Sequence, residues 1–179
     1  GLSFSMLTEK MGAQQVIGID PVEARREKAL EIGATNTVDP AKDNMYEAIE
    51  DLTGGEGIDI VVDATGDPEG FGQCLKIVKR WGTFVSFSLT GSKGKIAKFP
   101  HQEFMFKAAT IIPTQVAATS QPTKDIREMI ALKERGWADP GLLKSHNVGF
   151  EDVQKAYDMY SDQSDGVIKV VMDLNGGGA

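Results

Sequence analysis

Short apolar runs that close on an acid, alternating with amphipathic stretches, constrain this chain more than any other feature. Val16-Ile17-Gly18-Ile19 closes on Asp20-Pro21, and Ile58-Asp59-Ile60-Val61-Val62 closes on Asp63. Such near-continuous apolar character predicts strands covered on both faces of a parallel sheet. Leu2, Phe4, Leu7 and Met11 recur at near-helical spacing, which predicts a helix over 2–12 that stops at Gly12. A second helix is expected over 22–32 with Gly33 as its stop, and a third through Met45, Ala48, Ile49 and Leu52 up to Gly54-Gly55. Further strands are expected at 35–38, 83–87, 108–113 and 167–173, further helices at 69–79, 124–134 and 150–160, and a run at 142–148 remains unassigned. Strands and helices that alternate through short connections give an α/β chain with a doubly wound parallel sheet. No internal repeat is visible.

Composition limits the function classes. At ~150 residues per domain, 179 residues make one domain, or one plus a returning segment. Hydrophobic residues at 41% with charged residues at 25% argue against disorder over most of the chain. The net charge of −7 argues against nucleic acid as a partner. A single cysteine, Cys74, excludes an internal disulfide and a four-cysteine zinc site, and fits a reducing, cytoplasmic setting. No apolar run approaches the ~18–20 residues of a membrane span, so no membrane partner is expected. The first ten residues lack a basic leader, and the chain opens on Gly1 rather than methionine, so a fragment or processed product is expected.

In a doubly wound sheet, ligands bind beyond the carboxyl ends of the strands. Asp20 closes one strand, Thr65-Gly66 follow another, and Ser88 and Leu89 follow a third. Asp20 stands 19 positions after Gly1, near the ~20-residue step from a glycine loop to a ribose-binding acid. A carboxylate there accepts hydrogen bonds from both adenosine ribose hydroxyls and repels a 2′-phosphate. Asp20-Pro21 equally suits a turn that caps the following helix. Gly1 could let a pyrophosphate approach the first turn of its helix, or be only a terminus. The run Glu23-Ala24-Arg25-Arg26-Glu27-Lys28 reads as a solvated helix face, with Arg25 able to reach an adenosine. Lys93, Lys95 and Lys98 read as a solvated loop, Asp59 and Asp63 as strand-end acids exposed to solvent, and Cys74 as a small core residue. His101 and His146 have no evident third ligand, so no metal site is expected.

Three runs carry a family resemblance: 12–20, 29–35 and 53–66, the last reading Thr-Gly-Gly-Glu-Gly-Ile-Asp-Ile-Val-Val-Asp-Ala-Thr-Gly. Together with Asp165-Gly166-Val167-Ile168-Lys169-Val170-Val171 they resemble the coenzyme-binding half of zinc-type alcohol dehydrogenases of the medium-chain dehydrogenase/reductase family. The resemblance covers residues 1–174 and implies a Rossmann-like sheet lacking its first strand. It implies a dinucleotide-binding domain over 1–112, a segment over 113–174 returning toward an absent catalytic domain, and a flexible tail over 175–179. It makes Gly1 the last glycine of the phosphate loop, Asp20 the ribose acid and Arg25 a neighbour of the adenosine. Thr65 and Gly66 would lie against the cofactor. Phe87, Ser88 and Leu89 would offer backbone groups near the nicotinamide carboxamide, with Ile112 at the other edge of that pocket and Lys169 approaching the pyrophosphate. Pro113 departs from the glycine often found in its stretch.

The resemblance further implies an NAD-dependent oxidoreductase acting on an alcohol, with zinc only in the missing catalytic domain and no catalytic residue in this chain. It also implies homodimers paired through the strands near 84–89 and 108–113. A zinc-independent, NADPH-using quinone reductase, a non-catalytic nucleotide-binding fragment and a methyltransferase are the alternatives. The missing first strand would leave the strands at 16–19 and 58–63 about 10 Å apart. A strand from another chain, the segment 167–173, or collapse of the two neighbours is expected to fill that slot.

Overall fold

A computed structural model describes residues 1–89, 96–114 and 121–174. Seven helices and seven strands follow one another: α1 (Leu2–Lys10), β1 (Ile17–Ile19), α2 (Glu23–Glu31), β2 (Asn36–Val38), α3 (Met45–Thr53), β3 (Ile58–Asp63), α4 (Pro68–Ile77), β4 (Val78–Ser86), α5 (His101–Lys107), β5 (Thr110–Pro113), α6 (Pro122–Glu134), β6 (His146–Gly149), α7 (Val153–Asp162) and β7 (Val170–Asp173) among the described residues. Every strand pairing among them is parallel. The chain forms two compact units, one holding 42–122, the other 2–41 with 123–179.

In the unit of residues 42–122, the sheet runs β3-β4-β5. Its core is Leu75, Val78 and Phe84, all fully buried, with Ile49 and Val61. Phe71 of α4 meets Phe84 edge-on, ring centroids 4.9 Å apart. Helix α3 ends as its sequence directs, on Gly54 in the left-handed conformation. Asp67 caps α4 by accepting from the Glu69 N–H, with Pro68 at the first helical position.

Three sequence expectations change here. Helix α4 ends at Ile77 rather than 79, and β4 begins at Val78 rather than 83. Val78 pairs with Ile58, and the ladder resumes only at Ile60–Thr83, so residues 79–82 bulge. Trp81 takes φ +59 in that bulge, 72% exposed, with the Arg80 guanidinium 4.7 Å from its ring centroid. Charged Lys79-Arg80 reads as a helix end in sequence, and only the pairing with β3 shows otherwise. Helix α5 was not expected; seven residues are too few to show a helical period. Lys107, at its end, donates to the carbonyls of Lys76 and of Val78 (2.6 Å for the latter), and burial holds its ammonium below the ordinary lysine range.

In the other unit, β1 pairs with β2 and β6 with β7. Met6 of α1, Ile32 and Ala138 form a buried cluster, with Leu2, Leu7, Leu132 and Leu143 packed against it. The run 142–148 resolves into a 3-10 turn (Pro140–Leu143) and β6, and 150–160 into a 3-10 turn (Phe150–Asp152) and α7. The segment 167–173 does not pair with β1 or β3; its ordered strand, β7, pairs with β6. Among the described residues β1 pairs only with β2, and β3 only with β4, so neither collapse nor that segment supplies a second partner. The tail 175–179 and the loop lysines Lys93 and Lys95 lie outside the described residues.

Gly57, where the chain enters β3, has φ +82, and a Cβ there would stand 3.0 Å from the Ile77 carbonyl and 3.1 Å from the Lys79 Cα. Both neighbours are backbone and cannot swing away. Gly57→Ala is expected to lower the urea midpoint of the protein, at a cost of roughly 1–3 kcal/mol. Gly136→Ala, also left-handed (φ +74) but with open space around it, should cost less; equal losses would remove the crowding argument.

Candidate functional site

The carboxyl ends of the strands carry most of the expected residues. At the end of β1, Asp20 Oδ1 accepts the Val22 N–H at 2.8 Å. The N-cap residue of α2 is Val22 itself, with no side-chain cap. Asp20 therefore shapes the turn before the helix, and its second oxygen stays partly exposed (side chain 32%) with Arg25 Nη1 at 3.9 Å. Asp20 and Arg25 are thus brought together. Arg26, expected on a solvated face, is turned inward and 12% exposed. Its Nη1 donates to the Asp20 carbonyl at 2.8 Å, and its Nη2 pairs with Asp39 Oδ2 at 3.0 Å.

Asp39 was missed by sequence reasoning. It is 7% exposed, follows β2, and accepts the Ala41 N–H at 3.0 Å. A signal existed: Val38-Asp39-Pro40 repeats the pattern of Ile19-Asp20-Pro21 at the end of the neighbouring strand.

At the end of β3, Asp63 is 4% exposed rather than solvated, because its oxygens organise the following turn. Its Oδ1 accepts both the Thr65 N–H (2.9 Å) and the Thr65 hydroxyl (2.7 Å). Its carbonyl accepts from the N–H groups of Phe87 (3.2 Å) and Ser88 (3.0 Å) and from the Ser88 hydroxyl (3.1 Å). Ser88 Oγ in turn accepts the Gly66 N–H at 2.8 Å. Gly66 has φ +72, and a Cβ there would stand 3.0 Å from the Leu89 carbonyl, so only glycine suits this approach of the two turns. Thr65, Gly66, Phe87 and Ser88 therefore form one bonded cluster, and the amide N–H groups of Phe87 and Ser88 are spent within it. Leu89 is 74% exposed beside them. Ile112 pairs with Val85 on the next strand and is 46% exposed. Pro113 opposite Ser86 ends β5 without breaking the ladder, because Thr114 N–H donates to the Ser86 carbonyl at 3.0 Å.

The two remaining residues stand apart. Gly1 precedes α1 and is exposed. Lys169 is exposed just before β7, its backbone fixed by Ser145: the Ser145 N–H donates to the Lys169 carbonyl (2.9 Å), and the Lys169 N–H donates to Ser145 Oγ (3.1 Å).

The Asp20 carboxylate is a hydrogen-bond acceptor of the kind a sugar diol can use. A carboxylate oxygen at the end of a parallel strand, partly open to solvent, can accept from vicinal hydroxyls. Zinc is different. Among the described residues no group of three or more His, Cys, Asp or Glu could hold a metal ion. His146 instead spans Ser145 Oγ (2.9 Å) and Asp165 Oδ2 (3.2 Å). No helix among the described residues is long and apolar enough to cross a membrane.

Burial, and then the charge of Asp63, push the Cys74 thiol up from 9.0 to about 12. The thiolate is the reactive form, so folded protein at pH 8 is expected to resist iodoacetamide and to react once unfolded in urea. Since the folded value lies above the unfolded one, this group's contribution to stability is whole below pH 9.0 and is lost as the pH rises toward about 12. Fast alkylation of folded protein at pH 8 would contradict this placement of Cys74.

The sequence model of a family described as zinc-binding dehydrogenase matches residues 1–135. An alcohol dehydrogenase of Cupriavidus necator is 30% identical over 163 residues, covering 90% of this chain and 43% of that protein. The crystal structure of benzyl alcohol dehydrogenase from Acinetobacter calcoaceticus superposes with a TM-score of 0.87 at 24% identity, over 97% of this chain and 46% of that one. An alcohol dehydrogenase of Escherichia coli CFT073, complexed with the cofactor NADH, has the same fold, with a TM-score of 0.81 at 19% identity, over 97% of this chain and 49% of that one. The chain thus spans about half the length of the proteins it matches.

The chain belongs to the zinc-binding dehydrogenase family.

Proposed function

We propose, on the premise of that membership, that this chain is the NAD-binding part of an alcohol dehydrogenase-like oxidoreductase. The observation that carries the reading is the carboxylate of Asp20 at the end of β1, one oxygen fixed by the Val22 N–H and the other partly exposed. Such an oxygen accepts from the ribose hydroxyls of NAD and repels the 2′-phosphate of NADP. In this reading Arg25 lies along the adenosine. The family resemblance assigns the Thr65–Gly66 and 87–89 turns and Ile112 to the nicotinamide end, and Gly1 and Lys169 to the pyrophosphate. The nicotinamide, when bound, accepts hydride from the carbon of an alcohol; the residues of this chain hold and orient it. The likeness to an alcohol dehydrogenase complexed with NADH supports the cofactor class. The family also points to an alcohol as the substrate.

A second copy of the chain is the proposed partner. Strand β5 pairs only with β4 among the described residues, leaving its other side open to another strand. The single cysteine fits a reducing, cytoplasmic setting, which is part of the proposal.

Calorimetry with the protein carrying this chain tests the cofactor reading. NAD is expected to bind better than NADP, and Asp20→Ser to narrow the difference by about tenfold. Equal or tighter binding of NADP by the unaltered protein would overturn it.

A further inference from the structure

Asp20 and Asp39 close neighbouring strands in register, Ile19 beside Val38, and Arg26 lies between them. One guanidinium nitrogen is held by the Asp20 carbonyl and the other by the Asp39 carboxylate, and both charged side chains are nearly covered (12% and 8% exposed). Asp39 is itself held by the Ala41 N–H on its other oxygen. Arg25 differs: its contact to Asp20 is longer, 3.9 Å, and its side chain is more exposed.

We propose that Asp39 is a specificity-determining positioning residue: it holds Arg26 inward, away from the ribose edge, so that cofactor choice is set by Asp39 together with Asp20. The argument rests on the cofactor reading above. An arginine is the side chain best fitted to a phosphate, which it grips through two parallel hydrogen bonds. Arg26 begins six residues past the ribose acid, on the first turns of α2. Released from Asp39, its long side chain can swing to solvent and meet a 2′-phosphate there. Held by Asp39, its guanidinium lies turned inward, the side chain 12% exposed, with a donor of each Nη committed within the protein. Asp39 thereby adds to the discrimination that Asp20 exerts directly by repulsion. The buried pair has a second effect, since the Arg26 bond to the Asp20 carbonyl fixes the backbone from which the ribose acid projects.

The test compares the parent protein with Asp39→Asn, Arg26→Gln and the Arg26→Gln/Asp39→Asn double variant. Binding of NAD, NADP, 5′-AMP and 2′,5′-ADP is measured by calorimetry and by NMR shifts, without any alcohol. Asp39→Asn is expected to raise affinity for NADP and 2′,5′-ADP about tenfold relative to NAD and 5′-AMP. The double variant is expected to return to the parent preference, because the freed guanidinium is gone; mere loosening of the turn would not be reversed in this way. Slowly exchanging Arg26 Nη protons are expected in the parent and lost in Asp39→Asn. Should Asp39→Asn fail to fold, Arg26→Lys, which lacks the paired Nη groups of the clasp, is expected to shift the preference in the same direction. An unchanged preference in Asp39→Asn, or a double variant indistinguishable from it, would overturn the role of Asp39 while leaving NAD binding intact. A parent protein that binds none of the four ligands would overturn the cofactor reading, and this inference with it.

Discussion

One small hydrogen-bonded turn recurs at the carboxyl ends of strands in each unit. Parallel pairing sends every strand of a sheet out at the same edge, where the chain must turn and its amide groups lose their ladder partners. At three such exits an aspartate accepts the N–H two residues ahead: Asp20 from Val22, Asp39 from Ala41, and Asp63 from Thr65. The carboxylate replaces the missing backbone acceptor and sets the direction in which the chain leaves. The glycine approach at Gly66, the Ser88 relay and the Arg26 clasp are all built on these turns.

The three acids differ in what their remaining valence does. Asp63 turns its carboxylate inward and bonds the Thr65 hydroxyl, so it serves as scaffold; burial first, and Asp63 second, raise the neighbouring thiol of Cys74. Asp39 gives its second oxygen to Arg26 and is also closed off. Asp20 alone among them stays partly open, because its second oxygen has only a long contact to Arg25. One local motif thus yields two structural members and one acid able to face a ligand.

The alternation of strands and helices was legible in the chain because apolar runs and glycine stops are local signals. The bounds of β3, 58–63, were readable directly, as was the stop of α3 at Gly54. The start of β4 was not, since its first residues become a strand only by pairing with Ile58 across a bulge. Helix α5 was hidden by its brevity, although Lys107 ties it to the end of α4. In the site, Asp20 stood out because it closes an apolar run. Asp39 closes a run that is short and polar, Asn36-Thr37-Val38, and its partner Arg26 sits in a charged segment whose sequence suits solvent equally well. Burial of an ion pair depends on what lies across the sheet, which no local window contains.

The bulge at Trp81 has a practical consequence. The chain has two tryptophans, and they fall one to each unit: Trp81 in the unit of residues 42–122 and Trp137 in the other. Trp81 sits on the outside with a guanidinium over its ring, while Trp137 is 42% exposed. Each indole is therefore a built-in fluorophore for its own half of the chain. Replacing either with phenylalanine isolates the emission of the other, so the cooperativity of the two units can be followed optically without attaching a dye.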